Sequence, residues 1–292
     1  MNTRALLPAL CLACFGGAAW AADTPFSFST GVPNGLMAAA SRPDAAGQFE
    51  IETGDDFLLT DHTLLTGASF TGLLTPGLDG SLGTVTGITV EIYRVFPNDS
   101  DVVRVPNVPT RVNSPSDVAF DSRGSDASSL SFSTTTLAGS FTASNSVQAG
   151  GIHPKPNQTT GGNGAVTGQE VRFDVSFATA LDLTADHYFF VPQVSLSDGS
   201  SFLWLSASRP IVAPGTPFAP DLQAWTRDAN LDPDWLRIGT DIVGGATPPT
   251  FNMAFSLTGQ SVTAVPEPGS WALMGAGLLA LITLRRRASH QS

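Results

Sequence analysis

The stretch EVRFDVSF, residues 170–177, alternates without a break: Val171, Phe173, Val175 and Phe177 fall on one side, with Arg172, Asp174 and Ser176 between them. Successive side chains of a β-strand point to opposite faces, so this segment is a strand with one buried and one wet face. Ile88, Val90 and Ile92 against Thr89, Glu91 and Tyr93 repeat the pattern. Further strands are expected at Gln48–Glu52, Asp56–Thr60, Leu64–Leu74, Leu130–Thr135, His187–Leu196, Ser201–Leu205 and Asn252–Leu257, separated by clusters of Gly, Pro, Asn and Asp. Only Asp221–Trp225 carries a weak helical signal. About ten strands with so little helix predict an all-β body, a two-sheet antiparallel β-sandwich.

Composition agrees. The chain has 292 residues, 42% hydrophobic and only 13% charged, with 29 glycines and 21 prolines. That is enough apolar material for one large domain, and turn-forming residues outnumber strong helix formers. The formal net charge is −11. Setting aside Arg4, Arg285, Arg286, Arg287 and Glu267 leaves 10 basic and 24 acidic residues, a balance of −14 for the body. Such a surface repels phosphate backbones, so nucleic acid is not an expected partner. Both cysteines, Cys11 and Cys14, stand in the N-terminal apolar segment, which excludes a disulfide or thiolate zinc site from the body.

The ends differ from the body. Residues 1–21 have the order of a signal peptide: Arg4, an apolar run from Ala5 to Ala19, then Ala19, Trp20 and Ala21 at a cleavage position. Mature protein is expected to begin at Ala22, after handling by the secretion translocon and signal peptidase. The body is then 22–263. In 264–292 three parts follow in order: Pro266-Glu267-Pro268, the apolar run Trp271–Leu284, and Arg285-Arg286-Arg287. A transmembrane helix is expected over the apolar run. Fourteen residues rise only about 21 Å against a hydrocarbon core of about 30 Å, a weak anchor, and the arginines would stop transfer on the cytoplasmic side. The two prolines favour an extended stretch at the membrane surface that a protease cleft could take.

This arrangement resembles the PEP-CTERM sorting domain. The resemblance covers roughly the last 28 residues and implies processing by an exosortase, a membrane protease of Gram-negative bacteria that export exopolysaccharide. It implies transient anchoring in the inner membrane, with the body outside the cytoplasm, and then a cell-surface or extracellular destination. A looser resemblance, carried by Asp55-Asp56-Phe57, Gly67-Ala68-Ser69-Phe70-Thr71-Gly72 and Glu91-Ile92-Tyr93, is to the jelly-roll-like modules of such proteins.

Within the body, candidate chemistry is sparse. Asn98, Asp99 and Asp101, after Pro97, concentrate the oxygen ligands that calcium prefers, or they cap an acidic turn. Trp225 and Trp235 sit among polar residues, where they either stack on sugar rings or pack beneath a long loop. Asp61-His62 and Asp186-His187 pair a base with a carboxylate, but neighbours in a strand face opposite ways. Residues 150–168 contain six glycines and read as a long surface loop. The sequence has no Gly-x-Ser-x-Gly elbow, His-Glu-x-x-His helix or phosphate loop. The expectation is a non-enzymatic surface or extracellular-matrix protein associated with exopolysaccharide. A carbohydrate- or calcium-binding module on the same scaffold and an extracellular hydrolase are the alternatives.

Overall fold

The computed structural model describes residues 24–262 except 45–46, 78–79, 104–107, 154–157, 198–199 and 209–220, together with residues 275 and 277–279. Residues 24–262 form one compact unit. Its strands, in chain order, are β1 (Thr24–Ser29), β2 (Pro33–Ala40), β3 (Ile51–Leu59), β4 (Thr63–Thr75), β5 (Val85–Arg94), β6 (Asp121–Gly124), β7 (Leu130–Ala143) and β8 (Asn145–Val147). Then come β9 (Val166–Leu183), β10 (Asp186–Leu196), β11 (Ser201–Ala207), β12 (Trp225–Asp228), β13 (Leu236–Arg237) and β14 (Phe255–Ser261).

The alternating segment at 170–177 lies inside β9, where Val171, Phe173, Val175 and Phe177 are buried, with Arg172 and Ser176 exposed. β9 runs antiparallel along the length of β4 and takes β7 on its other edge. The far edge of β4 is shared end to end: β14 pairs with Thr63–Phe70 and β11 with Gly72–Thr75. β1 extends this sheet beyond β14, while β2 and then β8 extend it beyond β11. Among the described strands, the β2–β8 pair alone is parallel. The second sheet has the order β13-β12-β3-β10-β5-β6 and is antiparallel throughout.

The two sheets pack face to face. Phe190 of β10 stacks on Phe255 of β14 at 5.2 Å between ring centres, and Phe70 of β4 lies 6.3 Å from Phe190 and 4.9 Å from Phe173. Offset and edge-on rings at these separations add to the area they bury. The sandwich expected from period-two patterning is therefore the fold, built on a mixed sheet of eight strands and an antiparallel sheet of six.

β10 departs from simple alternation because it is buried on both sides. Tyr188, Phe190 and Val194 face the sandwich core, whereas Phe189 and Val191 belong to a second apolar cluster with Tyr93, Val95, Leu222, Trp225 and Trp235. The outer face of the six-stranded sheet is thus covered by another layer of chain. A strand covered on both faces reads as a continuous apolar run.

Some expected boundaries are corrected. Gln48–Glu52 and Asp56–Thr60 contribute to a single strand, β3, which continues through Gly54; a methyl there would come within 3.0 Å of the Val191 side chain, so the bare backbone is what lets β3 and β10 lie close. The helical signal at Asp221–Trp225 is overturned: residues 221–224 have no regular structure, and Trp225 opens β12 by pairing with Gly54. Tertiary pairing overrides a weak local propensity here. In the glycine-rich segment, Thr160 N and Gly161 N donate to the carbonyls of Ile242 and Val243, which fastens the chain onto a π-helical turn at Ile238–Val243.

Candidate functional site

The polar chemistry gathers on the covered outer face of the six-stranded sheet. β3, β5 and β12 turn Glu52, Glu91, Tyr93 and Arg227 to this side, because their neighbours Ile51, Ile92 and Thr226 face inward. Two irregular segments close over them. Trp235 Nε1 donates to Ser116 O at 3.2 Å, and Arg227 Nη1 donates to Asp117 O at 3.3 Å and Pro233 O at 3.1 Å. Arg111 pairs with Asp117 and lies 3.7 Å from Asp234, so it holds the two covering segments to each other.

Arg227 is buried and forms an ion pair with Glu52 through both Nε and Nη2. Its Nη2 also donates to Tyr93 Oη at 2.9 Å, and its ring neighbours are Trp235, 4.4 Å from the guanidinium carbon, and Tyr93 at 5.2 Å. Burial works against the charged guanidinium, but Glu52 more than compensates and the net effect strengthens its hold on the proton. Tyr93 Oη is 2.5 Å from Glu52 Oε1 and 3.0 Å from Glu91 Oε2. One hydroxyl proton cannot serve two carboxylates. Burial, and then the neighbouring Glu52, push the Glu91 carboxyl up to about 8, so at neutral pH Glu91 keeps its proton. The count then closes, with Tyr93 donating to Glu52 and accepting from Glu91 and Arg227.

Glu50, Glu52 and Glu91 can each present an oxygen within 4.8 Å of the others, a spacing that suits a cation. Arg227 already supplies positive charge there, and both Glu52 oxygens are engaged. Burial also raises Glu50, which accepts from Gln193 Nε2 at 2.8 Å. The arrangement is a closed polar network that ties β3, β5 and β12 together.

The histidines of the two sequence-adjacent Asp-His pairs reach across strands. His187 Nε2 lies 2.6 Å from Asp56 Oδ2 across the β3–β10 pair, and Asp186 Oδ1 accepts the His187 backbone amide at 2.8 Å. His62 reaches Asp182 on β9. His187 of the buried Asp56–His187 dyad borders a cavity of about 450 Å³ lined also by Leu58, Phe96, Pro97, Asn98 and Asp186. Among the described lining residues there is no Ser, Thr, Cys or Lys for the histidine to activate. On the inner face, burial and then the charge of Asp56 push Asp55 well up, and its Oδ2 accepts Met253 N at 2.7 Å.

The residues picked out for calcium stand in a turn. Asp101 Oδ1 accepts Val103 N at 3.0 Å, Asp99 faces Arg94 at 3.7 Å, and Asn98 N donates to Val95 O. Trp225 and Trp235 are 1% and 2% exposed, which corrects their reading as sugar-stacking platforms: no open ring face remains on either. The missed site residues come from three separated places in the sequence, Glu52, the Glu91 and Tyr93 of one strand, and Arg227, and strand register joins them.

The sorting residues Pro266, Glu267, Pro268, Arg285, Arg286 and Arg287 lie outside the described residues, as does the expected signal peptide at 1–21. Of the apolar run, 275 and 277–279 are described and are helical. Among the described residues no helix is long and apolar enough to cross a membrane. Residues 264–287 match the family model of the PEP-CTERM protein-sorting motif. The chain carries a PEP-CTERM sorting motif. The PEP-CTERM match spans both the Pro-Glu-Pro triplet and the arginine cluster and leaves the body untouched. The motif marks a protein targeted by an exosortase and exported for sorting to the cell envelope. Neither a curated protein nor a solved structure matched the chain.

Proposed function

We propose that this PEP-CTERM protein is a non-enzymatic component of an exopolysaccharide-rich cell surface or matrix, held at the inner membrane by Trp271–Leu284 until an exosortase releases it. The observation that carries this reading is the sorting motif at 264–287. The body supports it in two ways. Its Glu52–Tyr93–Glu91–Arg227 cluster is internally paired, as structural networks are, and His187 faces no nucleophile among the described lining residues. An acidic body balanced at −14 repels phosphate backbones and so avoids nucleic acid.

Replacing Pro266, Glu267 and Pro268 together with alanine tests the sorting step. The apolar run and arginines remain, so insertion should persist while recognition fails, and full-length protein should accumulate in membrane fractions on immunoblots. Release of a shortened body in normal amounts from this variant would reduce the triplet to a linker and remove the exosortase from the account.

A further inference from the structure

Three tryptophans are buried in the body, and their indole nitrogens fare differently. Trp204 Nε1 donates to Ala254 O at 2.9 Å and Trp235 Nε1 to Ser116 O at 3.2 Å. Trp225 Nε1 is buried without a partner. Trp225 lines a cavity of about 240 Å³, and so does Asn113, which is 4% exposed and whose Oδ1 is likewise buried and unpartnered. Buried polar groups in folded proteins are nearly always paired, so an unsatisfied donor and an unsatisfied acceptor on two residues of one cavity wall point to something that occupies it.

We propose that this cavity, bounded by Thr110, Val112, Asn113, Leu222, Trp225 and Arg237, binds a neutral hydroxylated molecule of the size of one sugar ring. A hydroxyl group accepts from the indole N–H and donates to an amide oxygen, and neighbouring hydroxyls on one ring can serve both atoms. Charge points the same way. Arg237 gives Nε and Nη2 to Asp241, at 2.9 and 2.6 Å, so it offers an anion no free countercharge. Gln223, which also borders the cavity, accepts from Thr240 at 2.9 Å and brings no charge. A cation finds no carboxylate among these lining residues. Val112 supplies apolar wall for the C–H groups of a sugar. At about 240 Å³ the space is below the roughly 300–1,000 Å³ of drug-sized sites, which fits a single ring and excludes a chain held along its length.

The loop geometry suits a defined site. Asn113 adopts φ +68°, a left-handed conformation that asparagine tolerates better than most residues, and the turn is pinned by Ser114 N to Arg111 O at 3.2 Å and Phe96 N to Ser114 O at 2.8 Å. This proposal stands on the cavity alone and is independent of how the chain is sorted.

The test uses the full chain in a detergent without a sugar headgroup, with 15N-labelled tryptophan, titrated separately with glucose, galactose, mannose and xylose. The Trp225 indole resonance, identified by its loss in Trp225→Phe, should shift saturably with at least one of them, while those of Trp204 and Trp235 stay in place. Trp225→Phe keeps an aromatic six-membered ring and removes the donor, and Asn113→Leu removes the acceptor; each should weaken calorimetric affinity for that sugar about tenfold or more, the scale of losing a hydrogen bond to a buried partner. The proposal is overturned if none of the four sugars moves the Trp225 resonance, if all the indoles move together, or if glucuronate binds more tightly than glucose. Should either variant fail to fold, the wild-type titration still decides.

Discussion

Glu91 illustrates what a single position contributes. It alternates correctly in β5 as an outward polar residue, yet its carboxyl is held beside Glu52 and Tyr93 and is pushed up to about 8 from an ordinary value of 4.5. The folded state therefore holds a proton that the unfolded chain gives up. Stability from this group is full below about pH 4.5 and is lost as pH rises through about 8, with an upper limit of a few kcal/mol at about 1.4 kcal/mol per unit. Urea titrations of the wild type should show stability falling from about pH 5 to about pH 9. Glu91→Gln, which keeps a hydrogen-bonding group but has no proton to lose, should flatten that slope and be more stable than wild type by on the order of 1–3 kcal/mol at about pH 9. An unchanged slope in the variant would place the titrating group elsewhere. Nothing in the local sequence announces this, because Glu52 lies far from Glu91 in the chain and only strand register brings the two together.

Among the elements, β3, β4, β5, β7, β9, β10, β11 and β14 were legible in the sequence, whereas β1, β2, β6, β8, β12 and β13 were not. β9 and β5 carry enough alternation to be read directly. β2 has Pro33, Gly35 and three consecutive alanines, and it is a strand because β11 and β8 flank it. β12 offers one apolar residue, Trp225, and β13 is two residues long; neither has a period to detect. Close approach between elements also leaves its mark in glycine. At Gly72, where β4 passes β11, an added methyl would fall on the Phe202 ring and within 2.6 Å of Leu203 O, whereas at Gly139 in β7 nothing lies within 4 Å. Gly72→Ala should therefore cost about 1–3 kcal/mol or prevent folding, and Gly139→Ala should stay within about 0.5 kcal/mol of wild type. Thermal melts of the pair check this, and equal effects would mean that strand entropy rather than contact governs both sites.

At the scale of the whole molecule, body and sorting signal obey separate physics. A fourteen-residue apolar run with two glycines is a poor membrane anchor, so its retention should depend on Arg285, Arg286 and Arg287. Replacing the three with Gln should let part of the protein pass through the membrane unprocessed, visible as full-length material outside the membrane fraction. Normal retention would show that the apolar run suffices. The sequence by itself determined the all-β class, the sheet-forming faces and the C-terminal motif, since each is written in local order: period two, turn residues, and proline, apolar run and arginine in succession. The two-layer burial of β10, the closed Glu52–Tyr93–Glu91–Arg227 network, the Asp56–His187 dyad and the cavity between Asn113 and Trp225 were decided only by the tertiary structure. Their members are separated by tens to well over a hundred residues, and their chemistry depends on strand register, burial and partner geometry, none of which a local pattern encodes.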